Sequence, residues 1–156
     1  MLTDFEQTIY WWYFLIHIPI SIFIDTSIIT EGRTLHPIFK KAINWHTVEN
    51  NDYLVGERPK WLQFFVWTEM FYQLPLFFIA VLYGTTTIPE TFLKLYGLLA
   101  GGSSLWCLID IVFNGHYFLL NPKKHTPRRA LPIMAKLKLA LFYFPYFLLP
   151  TRLLFL

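Results

Sequence analysis

In FLIHIPISIFID, residues 14–25, His17, Ser21 and Asp25 recur at four-residue intervals along an apolar run, and in WTEMFYQLPLFF, residues 67–78, Glu69 and Gln73 do the same. At helical periodicity each set forms one polar stripe on an otherwise apolar cylinder. Pro19 precedes Asp25 by six residues and Pro75 follows Glu69 by six. In two antiparallel helices counted from a shared end, the acids fall at one depth and the prolines at another, about 9 Å away at ~1.5 Å per residue. Asp25 and Glu69 are therefore expected to face each other. Two facing carboxylates in a low-dielectric site cannot both ionise cheaply, so the expected state holds one shared proton and one negative charge. Such a site binds an amine, or it gives its proton to an apolar substrate. The residue pattern leaves both open.

Other groups have a structural reading beside a functional one. Pro19 and Pro75 free the carbonyls of Leu15 and Phe71 and permit kinks that splay the helices and open a cavity. The small residues of GLLAGGSSL, 97–105, allow either close helix contact or room for a ligand. In FYFPYF, Tyr143 and Tyr146 are either lipid-facing anchors or flat cavity walls with polar tips. His17 reads as a packed, hydrogen-bonded histidine, and Gln73 as an interhelical bond or a pocket group. Asp110 reads as interfacial and Asp52, in NNDYL, as a turn or cap residue.

The elements that must carry these groups follow from composition. The chain has 156 residues, of which 55% are hydrophobic, 20% aromatic and only 15% charged. A soluble domain of that size cannot hide so much apolar surface, whereas a bilayer removes the need. Four runs are long enough to span, at about 8–29, 61–83, 91–113 and 133–156. They lack the alternation of barrel strands. The expected fold is an all-α integral membrane protein, a four-transmembrane-helix bundle in one domain over 1–156, with a long structured connection between its first two helices. In that connection Ile38, Phe39, Ala42, Ile43 and Trp45 form an apolar side opposite Lys40, Lys41 and Asn44. Asp4 and Glu6 stand where a signal peptide would be basic, so the first run is expected to be retained as a helix. The lone Cys107 excludes an internal disulfide. No metal-ligand spacing is present in the sequence and no cofactor is expected. A net charge of +3 without a basic stripe argues against nucleic acid.

The stretches YFLIHIPISIFID, NDYLVGERPKWLQFF, WTEMFYQLPLFF and FYFPYFLLP resemble the sigma-2 receptor family within the EXPERA-domain membrane proteins, a superfamily that includes the emopamil-binding sterol isomerases. The resemblance covers nearly the whole chain and is weakest in the third helix, where Tyr96 and Ser103 carry it. It implies a multi-pass protein of the endoplasmic reticulum membrane, often a homodimer, whose intrabilayer pocket accepts sterols and amphiphilic amines. It further implies that Asp25 pairs with a ligand amine, that Glu69 supports it in protonated form, and that Asp52 helps organise the site. Val66, Gln73, Tyr96, Ser103, Tyr143 and Tyr146 match the family's pocket walls. Such a protein handles sterol in homeostasis or trafficking, with a sterol-transport membrane protein as a possible partner class. The competing expectations are a sterol double-bond isomerase using the Asp25/Glu69 pair, and a structural protein dimerising through AGGSS.

Two features depart from the family. Relatives often end in a lysine-rich retrieval tail, whereas the last residues here are TRLLFL. The family also places both termini in the cytosol, while Arg33, Lys40, Lys41, Arg58, Lys60, Lys123, Lys124, Arg128 and Arg129 would put the two basic connections there by the positive-inside rule.

Overall fold

The computed structural model describes residues 2–30, 37–119 and 127–156. Arg33, Lys123 and Lys124 of the charge count lie outside the described residues. Among the described residues four helices are long and apolar enough to cross a bilayer: α1 (Asp4–Ile29), α4 (Lys60–Tyr83), α5 (Glu90–Asn114) and α6 (Ile133–Phe155). Between α1 and α4 lie the short helices α2 (Pro37–Asn44) and α3 (Tyr53–Glu57). No strand forms among the described residues, apart from a single antiparallel bridge between His116 and Ala130 that draws the α5–α6 connection together. The chain is an all-α integral membrane protein.

The start of α1 is fixed by local chemistry that hydropathy does not register. Thr3 and Glu6 form a reciprocal capping box, with the Glu6 amide donating to Thr3 Oγ1 at 3.2 Å and the Thr3 amide to Glu6 Oε2 at 2.8 Å. The helix therefore begins at Asp4, four residues before its apolar run. Arg152, at the far end of the chain, closes on Glu6 at 2.9 Å and ties α6 to α1.

Two apolar clusters hold the bundle. One joins Tyr10 and Phe14 of α1 to Phe77 and Ala80 of α4, Tyr96 and Ala100 of α5, and Leu153 of α6. The other, toward the end bearing the long connections, joins Ile28, Leu54 and Val55 to Leu62, Val66, Cys107, Ile111 and Leu139. His17, Ser21 and Asp25, together with Glu69 and Gln73, fall between the two clusters in each helix, so the polar groups occupy an interior layer.

The glycines of α5 divide between neighbours. A Cβ on Gly97 would stand 2.6 Å from the Pro150 carbonyl oxygen and one on Gly101 2.6 Å from Thr151 Oγ1, so α6 rides directly on these two positions. A Cβ on Gly102 would meet nothing within 4 Å. Gly101→Val is expected to cost about 1–3 kcal/mol by overpacking α5 against α6, read as a lower unfolding midpoint in detergent, with Gly102→Val as the near-neutral control.

Candidate functional site

Both polar stripes sit on helical segments of altered pitch. Ser21–Asp25 in α1 and Glu69–Gln73 in α4 are π-helical turns. In an α-helix four residues overshoot a full turn by about 40°. A π turn, with its i→i+5 bonding, holds more than four residues and undershoots instead. The step from His17 to Ser21 thus drifts one way and the step from Ser21 to Asp25 drifts back, returning Asp25 to the line of His17. The turn in α1 begins two residues after Pro19 and that in α4 ends two residues before Pro75, and a proline cannot donate to the α-helical ladder.

Asp25 and Glu69 meet within hydrogen-bonding reach of each other. The Ser21 hydroxyl donates to Glu69 Oε1 across the helix interface. His17 Nε2 lies 3.5 Å from the same oxygen. The His17 ring is packed among aromatics, stacked on Phe77 at 4.9 Å between centroids and edge-on to Tyr13 and Tyr146. Its Nδ1 is buried without a hydrogen-bond partner. One donor atom from each of His17, Asp25 and Glu69 falls within 4.8 Å of the others, a spacing compatible with one cation, ammonium or metal, at their centre. Linear spacing does not reveal this trio because it is assembled from two helices.

These groups border a cavity of about 350 Å³ between the four spanning helices. Its walls include Ile20, Ile24, Leu62, Phe65 and Val66, with Gln73, Ser103 and Ser104 as neutral polar groups. Phe142, Tyr143 and Tyr146 of α6 face inward, while Phe144 and Leu148 point outward. The aromatic run of α6 is therefore both wall and lipid-facing anchor.

Two expected site residues stand behind the cavity rather than on it. Tyr96 is fully buried, packed on Phe14 and Phe77, and its hydroxyl meets that of Tyr13 at 3.1 Å. Tyr13 is the one that faces the cavity. Asp52, also fully buried, caps α3 by accepting the Val55 amide at 3.1 Å. It also accepts the Tyr143 hydroxyl at 2.7 Å and pairs with His46 Nε2 at 2.7 Å. His46 and Tyr143 line the cavity, so Asp52 positions two wall residues without touching the space itself. His46 escaped sequence reasoning. Its position is set by a third π turn, Trp45–Glu49, and by Asn51, whose φ of 55° reverses the chain so that the Asp52 amide donates to the His46 carbonyl at 3.3 Å. The spacing HTVENND carries only a weak hint of such closure.

A second, more polar group lies at the end of the bundle near the connections. Tyr53 donates to Asp110 Oδ2 at 2.7 Å, and the Asn114 side chain to Asp110 Oδ1 at 2.7 Å. Glu57 contacts His116 Nε2 at 2.6 Å and accepts from Arg128 at 3.0 Å. Burial, reinforced by the hydrogen bond to Asp110, pushes the Tyr53 phenol up, so it stays a donor at neutral pH.

Four spans around an interior acid pair and a cavity define a small polytopic membrane protein. The chain belongs to the EXPERA family, the expanded EBP superfamily, whose profile matches residues 38–155. It is 34% identical to efficient mitochondria targeting-associated protein 19 of Saccharomyces cerevisiae over 96% of both chains. Over 44% of its length, and 39% of the relative's, it is 41% identical to sigma intracellular receptor 2 of Homo sapiens. The protein of that name from Xenopus tropicalis aligns over 95% of this chain and 85% of its own at 27% identity.

Proposed function

We propose that the protein binds sterols and cationic amphiphiles within the bilayer and serves sterol homeostasis or trafficking in the endoplasmic reticulum membrane. The observation that carries this reading is an acid pair set in the wall of a mainly apolar cavity. Its volume of about 350 Å³ falls within the usual range of small-molecule pockets, roughly 300–1,000 Å³. A ligand's apolar body packs on Ile20, Ile24, Phe65 and Val66, and its ammonium or hydroxyl end meets Asp25 and Glu69. Gln73 and Ser103 supply neutral hydrogen-bonding groups beside them. Asp52 acts by fixing Tyr143 and His46, and Tyr96 by fixing Tyr13. A homodimer and a sterol-transport membrane partner belong to the same proposal. A dimer contact on the AGGSS segment has to use Gly102, because α6 of the same chain covers Gly101, Ala100 and Ser104 are buried and Ser103 lines the cavity.

The alternative chemistry is sterol double-bond isomerisation, favoured by one observation. An isomerase must protonate one carbon and deprotonate another, and His17, with Nε2 3.5 Å from Glu69 and Nδ1 unpartnered, supplies a second proton-handling group beside the acid pair. A carboxyl proton would pass to one alkene carbon and a ring proton would leave to the neighbouring base, with no net change in composition. Purified protein incubated with a labelled Δ8 sterol separates the two. Retention of the sterol without conversion is the expected result, and stoichiometric excess of a shifted double bond would establish the enzyme. The name of the yeast relative supports a further reading of the biology, a role associated with mitochondria targeting. Sterol composition and mitochondrial import efficiency, measured in the same deletion strain, distinguish it from sterol handling.

A further inference from the structure

The polar group built around Asp110 and Glu57 borders a cavity of its own, of about 630 Å³, separate in composition from the intrabilayer site. It lies where the end of α5, the start of α4, α3 and the α5–α6 connection meet, which places it at the depth where the spans leave the hydrocarbon. Its charges are arranged unequally. Glu57 is paired with Arg128 at 3.0 Å and with His116 at 2.6 Å. Asp110 is held by the neutral donors Tyr53 and Asn114, and no ion pair involves it among the described residues. One end of the cavity is therefore anionic. The other carries Arg128, whose side chain is 68% exposed and engages Glu57 through one nitrogen, leaving the rest of its guanidinium fork outward. Trp61 and Phe113 form the apolar lip, and Phe113, 77% exposed, continues onto a lipid-facing surface with Trp106.

A carboxylate, a guanidinium and an indole lining one cavity, with an apolar lip at the membrane boundary, complement a zwitterion that carries acyl chains. We propose that this cavity holds the headgroup of a phosphatidylcholine molecule from the surrounding leaflet. The trimethylammonium sits between Asp110 and the Trp61 ring, where attraction to a carboxylate and to an aromatic face add. Tyr53 and Asn114 each bond one Asp110 oxygen and hold the carboxylate in place, while the Trp61 ring offers an aromatic face to the methyl groups, which suits a quaternary ammonium better than a primary one. The phosphate meets Arg128, and the acyl chains pass over Phe113 and Trp106 into the bilayer.

The test uses the full-length protein, delipidated in detergent and titrated with phosphatidylcholine, phosphatidylethanolamine and phosphatidylglycerol of identical acyl chains, with bound lipid counted by native mass spectrometry. Phosphatidylcholine is expected to be retained at least tenfold better than phosphatidylglycerol and severalfold better than phosphatidylethanolamine. Asp110→Asn, which preserves the shape and one acceptor oxygen, is expected to remove that preference while leaving amine binding at the Asp25 site within twofold. Should Asp110→Asn fail to fold, Trp61→Leu reads the same loss from the lip. Equal retention of the three lipids, a preference for phosphatidylglycerol, or an undiminished preference in the variant that folds would each overturn the proposal.

Discussion

Asp25→Asn is expected to weaken binding of a tertiary-amine amphiphile by about 2–5 kcal/mol, roughly 30- to 4,000-fold, the usual consequence of removing one member of a buried charge pair. The change is isosteric. The introduced carboxamide can still hydrogen-bond Glu69, and the Ser21 hydroxyl still holds Glu69 Oε1, so the unfolding midpoint should move little. What is lost is the negative charge facing the ligand. A neutral sterol, which brings only a hydroxyl to the same place, should lose roughly 2- to 13-fold, since a hydrogen bond is worth about 0.5–1.5 kcal/mol net. Saturation binding of both ligands to purified variant and parent gives the comparison. Equal losses for amine and sterol would show that Asp25 shapes the cavity instead of neutralising a cation. Unchanged amine affinity would remove Asp25 from the site.

Asp52→Ala should act on the fold and the ligand together. Asp52 is wholly buried and accepts from the Val55 amide, the Tyr143 hydroxyl and His46, so truncation strips the cap of α3 and leaves three polar groups without their acceptor. Destabilisation on the order of 3 kcal/mol is expected from the lost bonds and the stranded donors. Tyr143→Phe removes only one of the three. It should cost about 1 kcal/mol and change ligand affinity through the freed aromatic wall. Thermal unfolding in detergent, paired with amine binding at a temperature where both variants remain folded, separates the two effects. An Asp52→Ala protein as stable as the parent would mean that water takes over the three contacts.

Hydropathy was enough to read the four spans, because lipid exposure leaves apolar residues on nearly every side and the runs end at Pro59, Gly84, Pro89 and Gly115. It misplaced the start of α1, where the capping box of Thr3 and Glu6, a matter of two side chains, begins the helix before the apolar run does. The meeting of Asp25 and Glu69 was legible from equal offsets to two prolines, since helical rise converts residue count into depth. The pairing of His46 with Asp52 was not. It depends on a left-handed Asn51 and on a short helix whose cap is the same aspartate. Tyr96 shows the complementary difficulty. A residue can belong to a site's machinery through its neighbour's hydroxyl, and nothing in one sequence distinguishes that from lining the space.

The π turns at Ser21–Asp25 and Glu69–Gln73 can also be counted in residues. Such a turn amounts to one residue more than the surrounding α-helix needs, lodged in the helix with a weaker bonding pattern around it. Each of the two helices that present the acids carries that surplus residue at the same level of the membrane. Deleting the surplus residue from either turn would relax that helix to uniform pitch and strengthen its backbone ladder while leaving the helix beyond it close to its present facing, whereas deleting one residue from a purely α-helical stretch of the same helix would rotate everything beyond the deletion by about 100°. The acid pair thus depends on chain length as well as on side-chain identity. A variant one residue shorter in such an α-helical stretch, with every named side chain still present, would be a sound membrane helix whose acid no longer faces its partner.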